Sequence, residues 1–320
     1  MPPIWTDGSG LPRWANGRGA DAMRWTAVMA DARLAEAVGF DSLWVPDHFA
    51  MDDAWDPPFE GARPEAIRPD DPLSASWEAW SILAGLAVAT SRVELGTLVT
   101  CTGYRNPALL AKIADTVDEM SGGRVILGVG AGDHWSEHER FGFRLDRPVG
   151  RFEEALQIIR PLLREGSVEF DGDHHRAFRA VLDPRGPRPT GPPILIGALG
   201  TGPRMLRLTV EYADLWNGWF VFNEEDPSSA IETAVSRVDA ACAARGREPG
   251  TLAKTIGVSV ALDGAEAAGG SIAGSPRAVA DRLRGLAEIG VEHVQILLAP
   301  SGERGIARFA DVLELLDSGR

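Results

Sequence analysis

The stretch VELGTLVTCTGYRNPALLAKIADTVDEMSGGRVILGVG, Val93–Gly130, decides the fold. Its ends, Val93–Val99 and Val125–Val129, are short apolar runs that read as buried strands. Between them Pro107–Met120 reads as a helix, opened by a proline whose fixed φ suits a first turn. A strand, a helical crossover and a second strand form a parallel unit covered by its helix.

Working outward, the same alternation recurs. Upstream, Ala22–Val38 sets Met23, Ala27, Ala30, Leu34 and Val38 at three- and four-residue steps, and Gly39 fits a helix stop. Ser42–Pro46 follows as a short buried strand and Trp77–Ala89 as an apolar helix. Downstream, strands at Ile194–Ile196, Leu215–Trp219, Thr255–Leu262 and Val291–Leu298 interleave with helices. Those helices are Arg151–Leu163, Pro203–Tyr212, Pro227–Arg245, Pro276–Ile289 and Ile306–Leu316. Seven strands with crossovers, plus one before Ala22, make an α/β fold of the (β/α)8 TIM-barrel type, one domain over residues 1–320. The first strand is weak or truncated, because only Pro3–Trp5 is available for it. A doubly wound open sheet is the structural alternative. Two stretches stand outside the cycle and read as insertions. Residues 50–76 are rich in Pro and Asp, and 166–193 contain VEFDGDHHRAF, a hairpin signal around Asp-Gly.

Composition narrows the function classes. Apolar residues make up 44% and charged residues 24%, which excludes a disordered chain. Acidic residues outnumber basic ones, 46 to 32, for a formal charge of −14. That balance speaks against nucleic acid and against an anionic membrane surface. Cys101 and Cys242 lie too far apart for a disulfide framework or a zinc spacing. The opening MPPIWTDGSG lacks the basic start and apolar core of a signal peptide, and Ala79–Ala89 is too short to span a bilayer. The expected location is the cytoplasm.

In such a barrel, chemistry sits where strands end. Asp47 and His48 follow the first clear strand and are candidate proton handlers, or equally a turn cap and a packed ring. Thr97, Thr100 and Thr102 lie at the end of the next strand, where threonine is also ordinary β-composition. The fourth strand runs into GVGAGDHWSEH (Gly128–His138). Its glycines would let backbone N–H groups approach an anion or a flat ring, or form a tight turn. Trp135 and Ser136 read as loop residues, and His174 and His175 as an exposed hairpin tip. Gly197–Thr201 before a helix reads as a phosphate cradle or a flexible loop. Ten tryptophans are many, and Trp55, Trp135 and Trp216 are candidates to line a pocket.

AEAVGFDSLWVPDHF (Ala35–Phe49) resembles the bacterial luciferase-like superfamily of flavin- and deazaflavin-dependent oxidoreductases. So do LGTLVTCTGYRNPALLAKIADTVDEMSGGRVILGVGAGDHWSEHERFGF (Leu95–Phe143), RFEEALQIIRPLL (Arg151–Leu163), PPILIGALG (Pro192–Gly200) and YADLWNGW (Tyr212–Trp219). Their order and spacing carry the resemblance, which covers residues 22 to 320. It implies a (β/α)8 barrel that binds reduced FMN or coenzyme F420 at its C-terminal mouth. It implies Asp47 and His48 beside the ring's reactive edge, and Thr97-Leu98 as a non-prolyl cis peptide behind the ring, near Thr100. It also implies Gly130, Gly132, Asp133 and Ser136 as the loop beside the cofactor. Gly197, Ala198, Leu199, Gly200 and Thr201 match the phosphate-binding turn. The Asp-His pair followed by Phe49 resembles the deazaflavin branch. The expected activity is therefore hydride transfer between F420 and a small organic substrate. An FMN-dependent monooxygenase is the alternative. Residues 50–76 have no standard match and are expected to shape the substrate pocket. A rival of another class is a metal-dependent barrel hydrolase using Asp47, His48, His134 and His138; the preferred reading has no metal. Expected partners are a small-molecule substrate, a second copy of the chain and a separate reductase supplying reduced cofactor.

Overall fold

Helices and strands change over where the sequence period changes, in a computed structural model that describes residues 24–52, 73–132, 134–144, 146–198, 202–221, 227–262 and 271–318. Pro3–Trp5, Trp55, Asp133 and Leu199–Thr201 fall outside the described residues, as does the side chain of Trp135.

The elements run α1 (Trp25–Val38), β1 (Ser42–Val45), β2 (Ala50–Asp52), β3 (Leu73–Ala75), α2 (Ala79–Ala89), β4 (Glu94–Thr97), β5 (Thr100–Cys101), α3 (Pro107–Ser121), β6 (Val125–Gly130), α4 (Trp135–Phe141) and α5 (Pro148–Glu165). They continue β7 (Ser167–Asp171), β8 (Arg176–Val181), β9 (Ile194–Gly197), α6 (Pro203–Tyr212), β10 (Leu215–Trp219), α7 (Ser228–Ala243), β11 (Ala253–Leu262), β12 (Ile272–Gly274), α8 (Pro276–Glu288), β13 (His293–Ala299) and α9 (Glu303–Asp317).

Local signals set the boundaries. α1 stops at Gly39, whose φ of 107° suits only glycine at low cost. Asn106 caps α3 by accepting from the amides of Ala108 and Leu109, with Pro107 in the first turn. α5 starts at Pro148, three residues before the expected Arg151, because this proline also fits a first turn. Residues 135–141 form a helix that includes Trp135 and Ser136, which the sequence reads as loop residues, with Glu137 in the positive first turn and Gly142 left-handed at the end.

Among the described residues, nine strands pair in parallel, seven of them in the order β1-β4-β6-β9-β10-β11-β13, with the short β5 on β6 and β12 on β11. The sheet curls until its two ends face each other. Ser42 Oγ of β1 lies 2.7 Å from His293 Nε2 of β13, and Trp44 meets the same imidazole edge-on. This is a (β/α)8 barrel, and the open-sheet alternative is set aside. An antiparallel pair, β2–β3, frames the first irregular stretch, and the antiparallel hairpin β7–β8 occupies the second. The hairpin tip is not simply exposed. Glu154 of α5 accepts from the amides of Asp173, His174 and His175, which leaves both histidines half-buried.

Strand alternation splits the core into two layers. Leu43, Leu95, Val125, Leu127, Ile194 and Ile196 face outward against the helices. Trp44, Leu98, Ile126, Leu195, Val221 and Leu297 fill the barrel axis. Glycines on the inward positions make room for neighbours: a Cβ on Gly96 would overlap the Trp44 ring, and one on Gly257 the Trp219 ring. Among the described residues, no helix is long and apolar enough to cross a membrane.

Candidate functional site

The C-terminal ends of β1, β4 and β6 converge on a corner held by two carboxylates. Asp47, fully buried behind β1, takes two hydrogen bonds from the Arg105 guanidinium, at 2.6 and 2.9 Å, and one from the Cys101 amide at 3.1 Å. Arg105 also bonds Glu78, which caps α2. Burial pushes the Asp47 carboxyl up, and the Arg105 fork pulls against it. The sequence marks Asp47 as a candidate proton handler or a turn cap. In the structure its carboxylate is held in an ion pair with Arg105, directly before His48 in the chain.

The Nδ1 of His48 lies 2.8 Å from Glu137 Oε2, and its ring meets His134 edge-on with centroids 4.5 Å apart. The Glu137 side chain is wholly buried, while that of His48 stays 20% exposed. Glu137 also accepts from the Tyr104 hydroxyl at 2.9 Å and from the amides of Phe49 and Ala50 at 2.5 and 2.9 Å. Burial opposes the charged carboxylate, but the hydrogen bond and charge of His48, with the two amides, outweigh it and hold Glu137 down to about 2. Phe49, Tyr104, Phe141 and Phe143 pack against one another behind this pair. Ser76 donates to the His48 carbonyl, which ties the end of the β2–β3 stretch to the same point.

The floor of the mouth is built from strand ends. The cis peptide is Leu98–Val99, one residue later than the expected Thr97-Leu98. This correction exchanges two roles. Leu98 turns into the barrel axis, while Val99 is half-buried over the inward glycines of β6 and β9. A Cβ at Gly130 would come 2.9 Å from Val99 Cγ2, and one at Gly197 2.9 Å from Val99 Cγ1. Glycine therefore lets the valine sink and present an apolar shelf. The Thr97 and Thr100 hydroxyls are spent inside: Trp80 donates to Thr100, Thr100 to Thr97, and Thr97 to the Gly128 carbonyl. Gly132, at φ 92°, lies so close over Cys101 that a Cβ would sit 2.7 Å from the sulfur, with His138 Nε2 3.7 Å from that sulfur. Ser136 is buried in the first turn of α4. Ala198 is also buried, and its amide donates to the Asn217 carbonyl.

One pocket candidate is corrected. Trp216 points outward into the helical layer, because on β10 Leu215, Asn217 and Trp219 take the inward positions. Trp219, half-buried at the strand end, is the β10 tryptophan on the inward face. The proposed hydrolase set does not assemble, since Asp47 goes to Arg105 and His138 to Cys101. Among the described residues, His48, His134 and Glu137 bring donor atoms within 4.8 Å of one another. Glu137 takes part in four hydrogen bonds there, with His48, Tyr104 and the amides of Phe49 and Ala50. Glu137, Tyr104, Arg105 and Glu78 were missed. Only their positions beside strand ends could have flagged them.

Fold and mouth define a parallel barrel with an apolar, glycine-backed floor flanked by a carboxylate–histidine pair. The chain belongs to the luciferase-like monooxygenase family, whose sequence pattern matches residues 11–269. It is 32% identical over 282 residues to 5,10-methylenetetrahydromethanopterin reductase of Archaeoglobus fulgidus, covering 85% of this chain and 74% of that protein. It is 34% identical over 228 residues to phthiodiolone/phenolphthiodiolone dimycocerosates ketoreductase of Mycobacterium bovis. That match covers 67% of this chain and 55% of the ketoreductase, so the chain spans about half that relative's length. A solved F420-dependent secondary alcohol dehydrogenase, in complex with an F420–acetone adduct, superposes with a TM-score of 0.72 at 20% identity. It covers 92% of this chain and 95% of that one, a likeness of fold.

Proposed function

We propose that the chain is an oxidoreductase that holds coenzyme F420 at the barrel mouth and exchanges a hydride with a small organic substrate. The observation that carries this is the pairing of the Val99 shelf with His48. A planar apolar ring fits a floor from which side chains have been removed at Gly128, Gly130 and Gly197. When bound, the deazaflavin supplies or accepts the hydride. His48 holds or moves the accompanying proton, Asp47 and Arg105 fix the backbone from which His48 projects, and Val99, Gly130 and Gly132 support the ring. The N-terminal end of α6, behind Gly202, is the proposed seat of the cofactor's phosphate. The methylenetetrahydromethanopterin reductase and the F420-dependent dehydrogenase support the choice of cofactor. The family's description as monooxygenases favours FMN as the rival occupant. The charge of −14 supports an aqueous setting, which we place in the cytoplasm. Pairing of two chains and a separate reductase complete the proposal.

Anaerobic titration of the purified chain with F420 and with FMN, followed by fluorescence, tests the assignment. Saturable binding of F420 at lower concentration than FMN is expected. Tighter FMN binding would transfer the chain to the monooxygenase reading, and binding of neither would overturn the site.

A further inference from the structure

β10 carries two tryptophans, and strand alternation sends them to opposite faces. Trp216 is sealed among the helices, while Trp219, the last residue of the strand, turns into the barrel and stays half-buried. Register fixes its height. Asn217 pairs with Gly197 of β9, the glycine that Val99 covers. Trp219 comes two residues later on the same inward face, roughly 6–7 Å nearer the mouth. Strand order fixes its side. In the curled sheet β10 lies three places from β4, which leads into the Val99 shelf, and four from β1, which leads into His48. The indole therefore stands across the mouth from both.

Glycine sets how far back the ring stands. Gly257 of β11 is the register partner of Trp219. A Cβ on Gly257 would overlap Trp219 Cε3 and lie 2.5 Å from Cζ3, so the benzene half of the indole rests on bare backbone. Trp219 and Val99 both pack on the axial cluster that includes Leu98 and Val221, one from each side. A large aromatic ring left half-buried at a strand end, facing an apolar shelf, is a surface for a ligand to lie against.

We propose that Trp219 is a specificity-determining residue: it walls the mouth opposite the Val99 shelf and admits only ketones or secondary alcohols thin enough to lie against an indole. This rests on the reading above, in which Val99 supports one face of the bound ring. Hydride then passes at the other face, and that face looks toward β10 and β11. A ketone suits the exchange. It takes the hydride at its carbonyl carbon and a proton at oxygen and leaves as the alcohol, while the deazaflavin is oxidised by two electrons.

The full chain is labelled with 5-fluorotryptophan and loaded with oxidised F420, so that nothing turns over. It is titrated with acetone, cyclohexanone and 2-adamantanone, ketones of increasing thickness, and followed by fluorine NMR. The signal lost in Trp219→Phe is that of Trp219. In wild type this signal should shift with acetone and cyclohexanone. 2-Adamantanone should bind at least about tenfold more weakly than cyclohexanone, the scale on which an apolar wall discriminates bulk. Trp219→Ala should bind 2-adamantanone at least about tenfold more tightly than wild type does. Gly257→Ala would push the ring about 1 Å or more toward the axis to restore ordinary contact. It should weaken cyclohexanone at least about tenfold, and adding Trp219→Ala should reverse the loss. If Gly257→Ala does not fold, wild type and the Trp219 variants decide. A Trp219 signal that no ketone moves overturns the proposal, and so does an unchanged size order in Trp219→Ala. F420 bound beside a silent Trp219 sinks the wall alone, whereas a chain that binds no F420 sinks the reading on which the wall rests.

Discussion

At Glu137, burial and hydrogen bonding pull one proton equilibrium in opposite directions, and four donors prevail over one desolvated carboxylate. Its folded value of about 2 lies below the ordinary 4.5, so folding favours the ionised form. The stability this contributes is complete above pH 4.5 and is lost as pH falls through 2, a total of about 3 kcal/mol. Urea unfolding of wild type and Glu137→Gln at several pH values should show their difference shrinking by that amount across the window. A difference that does not change with pH would mean the carboxylate is not held ionised. His48→Ala is expected to leave folding and cofactor affinity largely intact and to lower turnover by at least about 10²-fold, the low end for lost acid–base help. Unchanged turnover would assign His48 to packing. His48 drew notice in the sequence because it stands at a strand end. Glu137 did not, because the two are 89 residues apart and no spacing rule links a strand end to a helix in a different βα unit. Asp47 was legible as a place at a strand end, but its pairing with Arg105, 58 residues away, was not.

The strands show the same limit in another form. The glycines of GVGAG read as a loop that lets backbone approach a ligand. Gly128 and Gly130 lie inside β6 and face the axis; what approaches Gly130 is Val99, just past the end of β4, and what approaches Gly128 most closely is the Thr97 carbonyl. Alternation along one strand can be read from sequence, but which neighbour fills an inward glycine depends on register and curl. The cis bond was misplaced by one residue for a related reason, since pattern alone does not show where a strand leaves the sheet. Gly130→Ala would bring a methyl to 2.9 Å from Val99 Cγ2 and should destabilise by about 1–3 kcal/mol. Adding Val99→Ala removes the opposing atoms, so a double-mutant cycle should show favourable coupling of about 1 kcal/mol. At Gly128 the main obstacle is the Thr97 carbonyl, backbone that cannot rotate away, with Val99 Cγ1 farther off at 3.3 Å, so Gly128→Ala should cost more and gain less from Val99→Ala. Equal coupling at both positions would show that Val99 does not occupy the groove.

At the scale of the whole barrel, seven strands and their order were legible from the alternation of period, and the eighth was not, because Pro3–Trp5 carries too little pattern. What the structure adds is how the described ends of the sheet meet. Trp44 Nε1 donates to Ser42 Oγ at 2.7 Å, and the Ser42 hydroxyl proton is available to His293 Nε2, also at 2.7 Å. In that arrangement the imidazole accepts, and it can do so only while Nε2 is bare. Burial holds His293 down to about 4 from its ordinary 6.5, and the charge of Asp41 offsets this only in part. The unfolded chain therefore binds more protons than the folded one between pH 6.5 and 4. Stability from this group is fully present above 6.5 and is lost as pH falls to 4, amounting to about 3 kcal/mol. His293→Gln keeps an acceptor for Ser42 and removes the titration. Relative to that variant, wild type should lose stability steadily from pH 6.5 to 4 and little more below it. Glu137 acts mainly below 4.5, so unfolding curves for the two variants should diverge from wild type in different windows. A wild-type curve parallel to His293→Gln between 6.5 and 4 would mean that the imidazole is charged in the folded barrel. The Ser42–His293 contact could not then join the two ends of the sheet by a hydroxyl donating to a bare nitrogen.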